Sequence, residues 1–256
     1  MTKTNTNGRA AQKSSGFSLI EMLVVVAVLM IITGAIFEQI NNAQKTAVSE
    51  QDKMDLFQES REFMDQMTRD IRSTGYPNPR NVEGGQFDPT SEPDSQHLAA
   101  GLVKIDAGEL WFEADVTGNG QVSVIHYFLD TDATKPGCPC LRRSETLKVD
   151  GDPVTDQNQP NYQVEVQNVL NGTADNPIFT AYKSDGTKAT LPIQMDDVPS
   201  SPVADINSIR VTLTVQSKIP DAKTGARPIV SLVSTARLNN CSQAHSSASD
   251  ALMGCQ

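Results

Sequence analysis

The stretch KSSGFSLIEMLVVVAVLMIITGAIF, from Lys13 to Phe37, decides the architecture of this chain. Four residues within 17–37 are not clearly apolar: Ser18, Glu21, Thr33 and Gly34. A helix over these 21 residues rises about 31 Å, which matches the hydrocarbon thickness of a bilayer. The run therefore predicts a transmembrane helix over residues 17–37.

The leader in front of this helix carries only positive charge. Residues 1–16 contain Lys3, Arg9 and Lys13 and no acidic residue. Because cationic flanks stay on the cytoplasmic side of a membrane, the chain after residue 37 is expected outside the cytoplasm. A secretory signal would be followed by a small-residue cleavage site, but residues 37–51 contain no clean A-x-A sequence. A plain signal anchor is the alternative interpretation.

Glu21 is the unusual residue of the apolar run. An ionised carboxylate inside hydrocarbon costs about 2.5–3.5 kcal/mol, so it should have a partner or a function. No lysine or arginine lies in residues 17–37. If the chain were cut between Gly16 and Phe17, the new ammonium would lie one helical turn from Glu21. That ammonium could pair with Glu21 of its own chain or of a neighbouring copy.

The residues SSGFSLIEMLVVVAVL resemble the class III leader of type IV pilins and type II secretion pseudopilins. The resemblance implies cleavage after Gly16, N-methylation of Phe17 as the first mature residue, and a role for Glu21 as the assembly carboxylate. Methylation leaves the amine charged, so the pairing with Glu21 is unaffected. Many major pilins have a helix-kinking proline where this chain has Glu38, which favours a minor pilin or a pseudopilin.

The helix is predicted to continue to about Thr74, because no proline or glycine lies between Glu38 and Thr74. Apolar residues recur mostly at helical spacings of three, four or seven: Ile40, Ala43, Ala47, Met54, Phe57, Met64, Met67 and Ile71. We expect this stripe to pack against the chain's own domain. Gly75 is the expected C-cap, with two prolines beyond it.

After residue 96 the pattern changes to the alternation that is typical of strands. Strands are predicted near 102–105, 109–115 and 121–129, with a hairpin turn at 117–120. Further candidate strands lie within 140–149, 161–170, 177–184, 206–217 and 228–240, and the last two are expected to form a closing hairpin. The predicted class is α+β, with a long N-terminal helix (transmembrane, then amphipathic) carrying one antiparallel β-sheet domain.

Four segments are therefore expected. They are a leader at 1–16, a transmembrane half-helix at 17–37, an amphipathic half-helix at 38–74, and a β-rich head at 75–256 with a C-terminal disulfide loop. This order resembles the PilW-type minor pilins and the J-type pseudopilins. These share a helix ending near RDIRSTGYPNP, a hairpin like WFEADVTGNGQVSVIHYFLD and a final pair of strands. The resemblance implies the lollipop fold of type IV pilins.

The four cysteines lie late in the chain, at Cys138, Cys140, Cys241 and Cys255, which suits an oxidising compartment. A bridge between Cys241 and Cys255 would contribute about 3 kcal/mol and would resemble the C-terminal disulfide loop of many pilins. Cys138 and Cys140 could bridge each other or pair with the late cysteines, and three pairings are open. A redox role is not favoured for them, because the usual redox spacing is C-x-x-C.

No signature of an enzyme is present: the chain lacks G-x-S-x-G, H-E-x-x-H, P-loop and G-x-G-x-x-G motifs. DVTGNG at 115–120 is similar to the start of a calcium loop, but His126 takes the place of the required glutamate, and a hairpin turn is favoured. No metal or cofactor is expected. The net charge of −10, which would become −13 without the leader, disfavours nucleic-acid binding.

The resemblance implies a structural subunit rather than an enzyme: a minor pilin that helps to initiate or assemble a type IV pilus. Its implied partners are other minor and major pilins or pseudopilins, the prepilin peptidase and methyltransferase, and the inner-membrane assembly platform. It would span the inner (cytoplasmic) membrane once, with its head outside the cytoplasm, before entering a pilus or pseudopilus. The alternatives are a minor pseudopilin of a type II secretion system and a signal-anchored periplasmic binding or enzymatic domain that does not polymerise.

Overall fold

The computed structural model of this chain describes residue 16 and residues 18–77, 95–195, 202–221 and 224–239. Within these residues, one α-helix is followed by nine β-strands, and all the strand pairs are antiparallel. The predicted α+β class, with a long N-terminal helix followed by an antiparallel β-sheet domain, is confirmed. The chain divides into two compact units, Met1–Val48 and Ser49–Gln256.

Helix α1 spans Leu19–Ser73, close to the predicted 17–74. It contains no proline, and its single glycine, Gly34, does not interrupt it. The helix stops where the sequence indicates, because Gly75 adopts a φ of 78°, which favours glycine. The Gly75 N–H then donates to the carbonyl of Glu113 at 2.9 Å. The end of α1 is thus tied directly to the sheet domain.

In the unit Met1–Val48, the apolar side chains of α1 are exposed. Leu19 and Ile31 retain 82% and 73% of their accessible surface. An 18-residue window of α1 has a mean hydropathy of 2.7, and none of it is buried within the structure. Thr33 donates its hydroxyl to the Leu29 carbonyl at 2.7 Å, so this polar group is satisfied within the helix. Length, hydropathy and exposure together indicate a membrane-anchoring helix.

In the unit Ser49–Gln256, the last turns of α1 pack on the β-domain. Phe63, Met64, Met67 and Ile71 are buried there. Earlier members of the predicted stripe are not: Met54 and Phe57 are 64% and 43% exposed. The prediction that the whole stripe packs against the domain is therefore wrong for these two residues. Helical periodicity identifies the apolar face of a helix, but not how far the packed sheet extends along it.

The strands, in chain order, are β1 Leu102–Asp106, β2 Glu109–Ala114, β3 Ser123–Asp130, β4 Cys140–Leu147, β5 Gln163–Val166, β6 Phe179–Lys183, β7 Ile193–Gln194, β8 Ile206–Gln216 and β9 Ile229–Arg237. The predicted hairpins are confirmed: β2 pairs with β3 and β8 pairs with β9. The two-residue strand β7 is too short to leave a sequence pattern.

The strands form two sheets rather than the single sheet that was expected. The first has the order β5-β4-β3-β2-β1-β7, and the second has the order β6-β8-β9. Both contribute to one core, whose largest fully buried side chains include Met67, Ile71, Phe112, Tyr127 and Phe179. Alternation predicts that a segment is a strand, but pairing partners depend on contacts between distant segments.

A largely buried ion pair joins α1 to the first sheet. Asp70, in the last turn of the helix, accepts hydrogen bonds from the Tyr127 hydroxyl at 2.7 Å and from Arg143 Nε at 3.0 Å. Arg143 also contacts Glu145 at 2.7 Å. Burial, followed by the charge of Asp70, raises the pKa of Tyr127 well above its ordinary value, so Tyr127 remains a hydrogen-bond donor. The three groups fix the helix on the sheet.

Replacing Asp70 with alanine should lower the free energy of unfolding of the head by about 3 kcal/mol, because the buried Tyr127 hydroxyl would lose its acceptor and Arg143 would keep only the more exposed Glu145. Guanidinium unfolding followed by circular dichroism measures this loss. Asp65→Ala is the matched control, since Asp65 is exposed on the same helix and should change stability by less than about 0.5 kcal/mol. Equal effects of the two substitutions would contradict the role assigned to Asp70.

Candidate assembly site

Glu21 lies in the first turn of α1. The Ser18 carbonyl accepts the N–H of Glu21 at 3.0 Å and the N–H of Met22 at 3.2 Å, which makes Ser18 the N-cap residue. Glu21 is therefore the third helical residue. This position places its carboxylate at the start of the apolar helix, as the sequence predicts.

A carboxylate at this position also has a local explanation, because Ser18 and Glu21 have the spacing of a capping box. Among the described residues, however, the Glu21 carboxylate takes part in no hydrogen bond or ion pair. An acidic residue near a helix N-terminus gains about 0.3–1 kcal/mol from the helix dipole. This is less than the roughly 2.5–3.5 kcal/mol that the charge costs in hydrocarbon. The dipole alone does not offset the charge.

The side chains around Glu21 are apolar and uncovered. Ile20, Met22 and Leu23 are 70%, 59% and 63% exposed. A lone carboxylate in such a surface can accept one cationic group and can do little other chemistry. An ammonium or a methylated ammonium group from a neighbouring helix fits this requirement, because it neutralises the charge without introducing a second polar surface.

Gly16 is exposed, and a side-chain carbon added to it would meet nothing within 4 Å. Phe17, the expected first mature residue, lies outside the described residues. Cleavage after Gly16, methylation of Phe17 and the assembly role of Glu21 therefore stay predictions.

Residues 11–37 match the family model of the prokaryotic N-terminal methylation motif. The match includes the Gly16–Phe17 bond and Glu21. It supports a prepilin-like protein of the type IV pilin and pseudopilin kind, with an N-terminal helix that anchors it in a membrane. Proteins with this N-terminus are structural subunits that interact with prepilin peptidase and with other pilins. No curated protein and no solved structure matches the chain.

The cysteines of the prepilin-like chain fall into two groups. Cys138 and Cys140 are joined by a disulfide, which is one of the pairings that the sequence leaves open. Cys241 and Cys255 lie outside the described residues. Because the Cys138–Cys140 bridge joins residues only two positions apart, loop closure contributes no more than about 1.6 kcal/mol to stability.

The DVTGNG segment forms the turn between β2 and β3. The Asp115 carboxylate accepts the N–H groups of Gly118 at 2.7 Å, Asn119 at 3.3 Å and Gly120 at 2.8 Å. Gly118 and Gly120 adopt φ values of 71° and 81°. These residues are thus explained by a turn closed around Asp115.

Sequence reasoning missed a polar cluster on the first sheet. His126 contacts Glu109 through Nε2 at 2.8 Å and the Tyr162 hydroxyl through Nδ1 at 2.7 Å. Trp111 stacks on its ring with centroids 5.2 Å apart. The hydrogen bond from His126, with help from Lys104, holds the pKa of Glu109 at about 2. Only the β2–β3 register, which pairs Trp111 with His126, could have suggested this cluster.

The head should lose stability in acid through Glu109. Its folded pKa of about 2 lies below the ordinary 4.5, so its contribution is complete above pH 4.5 and disappears as the pH falls from 4.5 to about 2. We expect about 3 kcal/mol of unfolding free energy to disappear over this range. Urea unfolding at several pH values measures it, and Glu109→Gln should flatten the curve. The exposed Glu62→Gln is the control. If the unfolding free energy of Glu109→Gln depends on pH in the same way as that of the unsubstituted protein, this assignment is contradicted.

Proposed function

We propose that this chain is a minor pilin, a structural subunit that helps to initiate or assemble a type IV pilus. Prepilin peptidase would remove residues 1–16 and methylate Phe17. The apolar part of α1 would then pass from the inner membrane into the filament, and the head would lie outside the cytoplasm. The single observation that carries this proposal is Glu21, a carboxylate without a described partner in an exposed apolar helix, at the fifth position after the proposed cleavage site.

The physical mechanism is assembly by charge neutralisation. The methylated ammonium of Phe17 from an adjacent subunit would pair with Glu21, removing two charges from the hydrocarbon at once. Lateral contacts between exposed apolar helices supply the rest of the association energy. Subunits whose N-terminus is not released would lack the ammonium and would not be accepted.

A minor pseudopilin of a type II secretion system is the second candidate. The leader motif and Glu21 suit both systems equally. The glutamate at position 38, where many major pilins have a kinking proline, favours a minor subunit of either system. A signal-anchored periplasmic binding or enzymatic domain that does not polymerise is the candidate from another class.

Identification of partners tests the proposal. The tagged full-length chain, crosslinked in membranes and purified, should recover other proteins with prepilin leaders, together with the assembly platform. Recovery of pilus subunits supports the type IV pilus, and recovery of secretion pseudopilins supports the second candidate. If the chain recovers no protein with a prepilin leader, the anchored periplasmic domain is favoured and the proposal fails.

A further inference from the structure

The loop that joins β3 to β4 brings two sulfurs and a carboxylate together. Asp130, the last residue of β3, lies opposite Cys140, the first residue of β4, in the paired strands. Cys138 is joined to Cys140, and the two sulfurs and a carboxylate oxygen of Asp130 all lie within 4.8 Å of one another. One water molecule can bridge such a distance. The proposed function makes no use of this cluster.

The two sulfurs differ in their access to solvent. Cys140 is completely buried, whereas Cys138 is partly exposed and is followed by the exposed Pro139. Thiol–disulfide exchange depends on which sulfur the incoming thiolate can reach. An external thiolate would therefore attack Cys138, and Cys140 would be the leaving group.

Two cations contact the carboxylate of the cluster. Lys135 Nζ lies 2.6 Å from Asp130 Oδ2, and Arg142 Nε lies 3.0 Å from the same oxygen. Asp132 also lies near this group, with its Oδ2 3.7 Å from Lys135 Nζ, so two carboxylates and two cations balance. Cations beside a cysteine stabilise its thiolate, which is both the attacking and the leaving form in exchange.

The cysteines are held in place without the bridge. The carbonyl of Gly137 accepts the N–H of Asn168 at 2.8 Å, and the carbonyl of Pro139 accepts the N–H of Val169 at 2.8 Å. The strand pairing of Asp130 with Cys140 fixes the other side. Because the bridge links residues only two positions apart, opening it separates no distant parts of the fold. Two thiols formed here would remain adjacent.

We propose that Cys138 and Cys140 form a redox-active pair that exchanges reversibly with a dithiol, with Asp130 as the group that accepts the proton of Cys140 when its thiolate forms. In the reductive direction, a thiolate of the dithiol bonds to Cys138 Sγ, the Cys138–Cys140 bond breaks, and Cys140 leaves as a thiolate and takes up a proton. The second thiol of the dithiol then attacks the mixed disulfide and releases Cys138. The dithiol becomes a disulfide, and its two protons end on the cysteines.

In the oxidative direction, the Cys140 thiol gives its proton through water to the Asp130 carboxylate. The resulting thiolate attacks Cys138 of the mixed disulfide and expels the partner thiolate, which then takes the proton from Asp130. Asp130 is ionised before this step, because the hydrogen bond from Lys135 and that from the Asp132 N–H lower its pKa. Among the described residues, Asp130 is paired with Lys135 and Arg142, and Lys135 also contacts Asp132.

The test is a redox titration of the full-length protein in detergent. Cys241 and Cys255 are replaced by serine, so that Cys138 and Cys140 are the only cysteines that react. Dithiothreitol is varied, the reaction is quenched in acid, and alkylation of Cys138 and Cys140 is read by peptide mass spectrometry. We expect reversible opening, with the circular dichroism spectrum and Trp111 fluorescence unchanged. The proposal would be overturned if the bridge opened only when the circular dichroism spectrum of the folded protein was lost. It would also be overturned if the untreated protein contained no bridge.

Single variants test the roles of the groups. With glutathione disulfide, Cys140→Ser should form a stable adduct at Cys138, and Cys138→Ser should react at least about tenfold more slowly, because Cys140 is buried. Asp130→Asn should slow the release of glutathione from Cys138 by Cys140 about tenfold, and the pH profile of this rate should move to higher pH. The exposed Asp132→Asn should change neither the rate nor its pH profile. Equal trapping by both cysteines would refute the assigned order of attack. Equal rates in the two aspartate variants would refute the role of Asp130.

Discussion

Replacing Glu21 with glutamine should reduce incorporation of this chain into filaments by roughly 70- to 400-fold. In the proposed assembly, the ammonium of a neighbouring Phe17 would lose its counter-charge inside hydrocarbon, which costs about 2.5–3.5 kcal/mol. The glutamine side chain keeps the size of glutamate, so packing should change little. Quantitative blotting of the membrane and the purified filament fractions measures the ratio.

Leader removal should be unaffected in the same variant, because the Gly16–Phe17 bond precedes the substitution. Glu38→Gln is the matched control. It removes an exposed carboxylate from the same helix beyond the apolar run, and it should assemble normally. Normal incorporation of Glu21→Gln would contradict the pairing, and loss of cleavage in that variant would show that Glu21 acts earlier.

Replacing Lys148 with methionine should destabilise the head by about 3–5 kcal/mol, the largest effect on stability that we expect. Lys148 Nζ lies 2.6 Å from Glu113 Oε2 and 2.9 Å from the Leu98 carbonyl, and both charged side chains are completely buried. Glu113 Oε2 also accepts the Ala100 N–H at 2.7 Å. Loss of the lysine would leave a carboxylate in the core without this cation.

A double substitution separates the cost of a broken pair from the value of an intact one. Lys148→Met with Glu113→Leu removes both charges, and buried pairs replaced by apolar residues often change stability little. We therefore expect the double variant to be at least about 2 kcal/mol more stable than Lys148→Met in guanidinium unfolding. Equal stabilities of the single and double variants would contradict a desolvated pair.

Local sequence signals were sufficient for much of the fold. The unbroken helix to Ser73 follows from the lack of proline, and Gly75 ends it at a positive φ. The β2–β3 hairpin follows from glycines in the turn that Asp115 closes. Each of these features depends on residues that are neighbours in the chain, where propensity and turn chemistry act directly.

Long-range pairing could not be predicted in the same way. Asp70 and Tyr127 are 57 positions apart, and Glu113 and Lys148 are 35 apart. Nothing in the local pattern around these charges distinguishes them from solvated ones. The division into two sheets has the same cause, since alternation in β6 and β8 does not specify which strands they join.

The assembly site could be predicted in a different way, because Glu21 is identified by its chemistry rather than by its structural surroundings. A charge inside an apolar run needs a partner whatever the fold, so Glu21 stands out in the sequence alone. By contrast, the accessibility difference between Cys138 and Cys140 and the position of Asp130 opposite Cys140 depend on the β3–β4 pairing. The spacing of the cysteines therefore predicted little about them.

The pairing of Glu21 with a released N-terminus is tested by the mass of the N-terminal peptide of the protein extracted from the membranes of cells that contain a prepilin peptidase. We expect a chain that begins at Phe17 and carries one methyl group on its amine. A chain that keeps residues 1–16 would leave Glu21 without the ammonium that it requires, and assembly by charge neutralisation would be refuted.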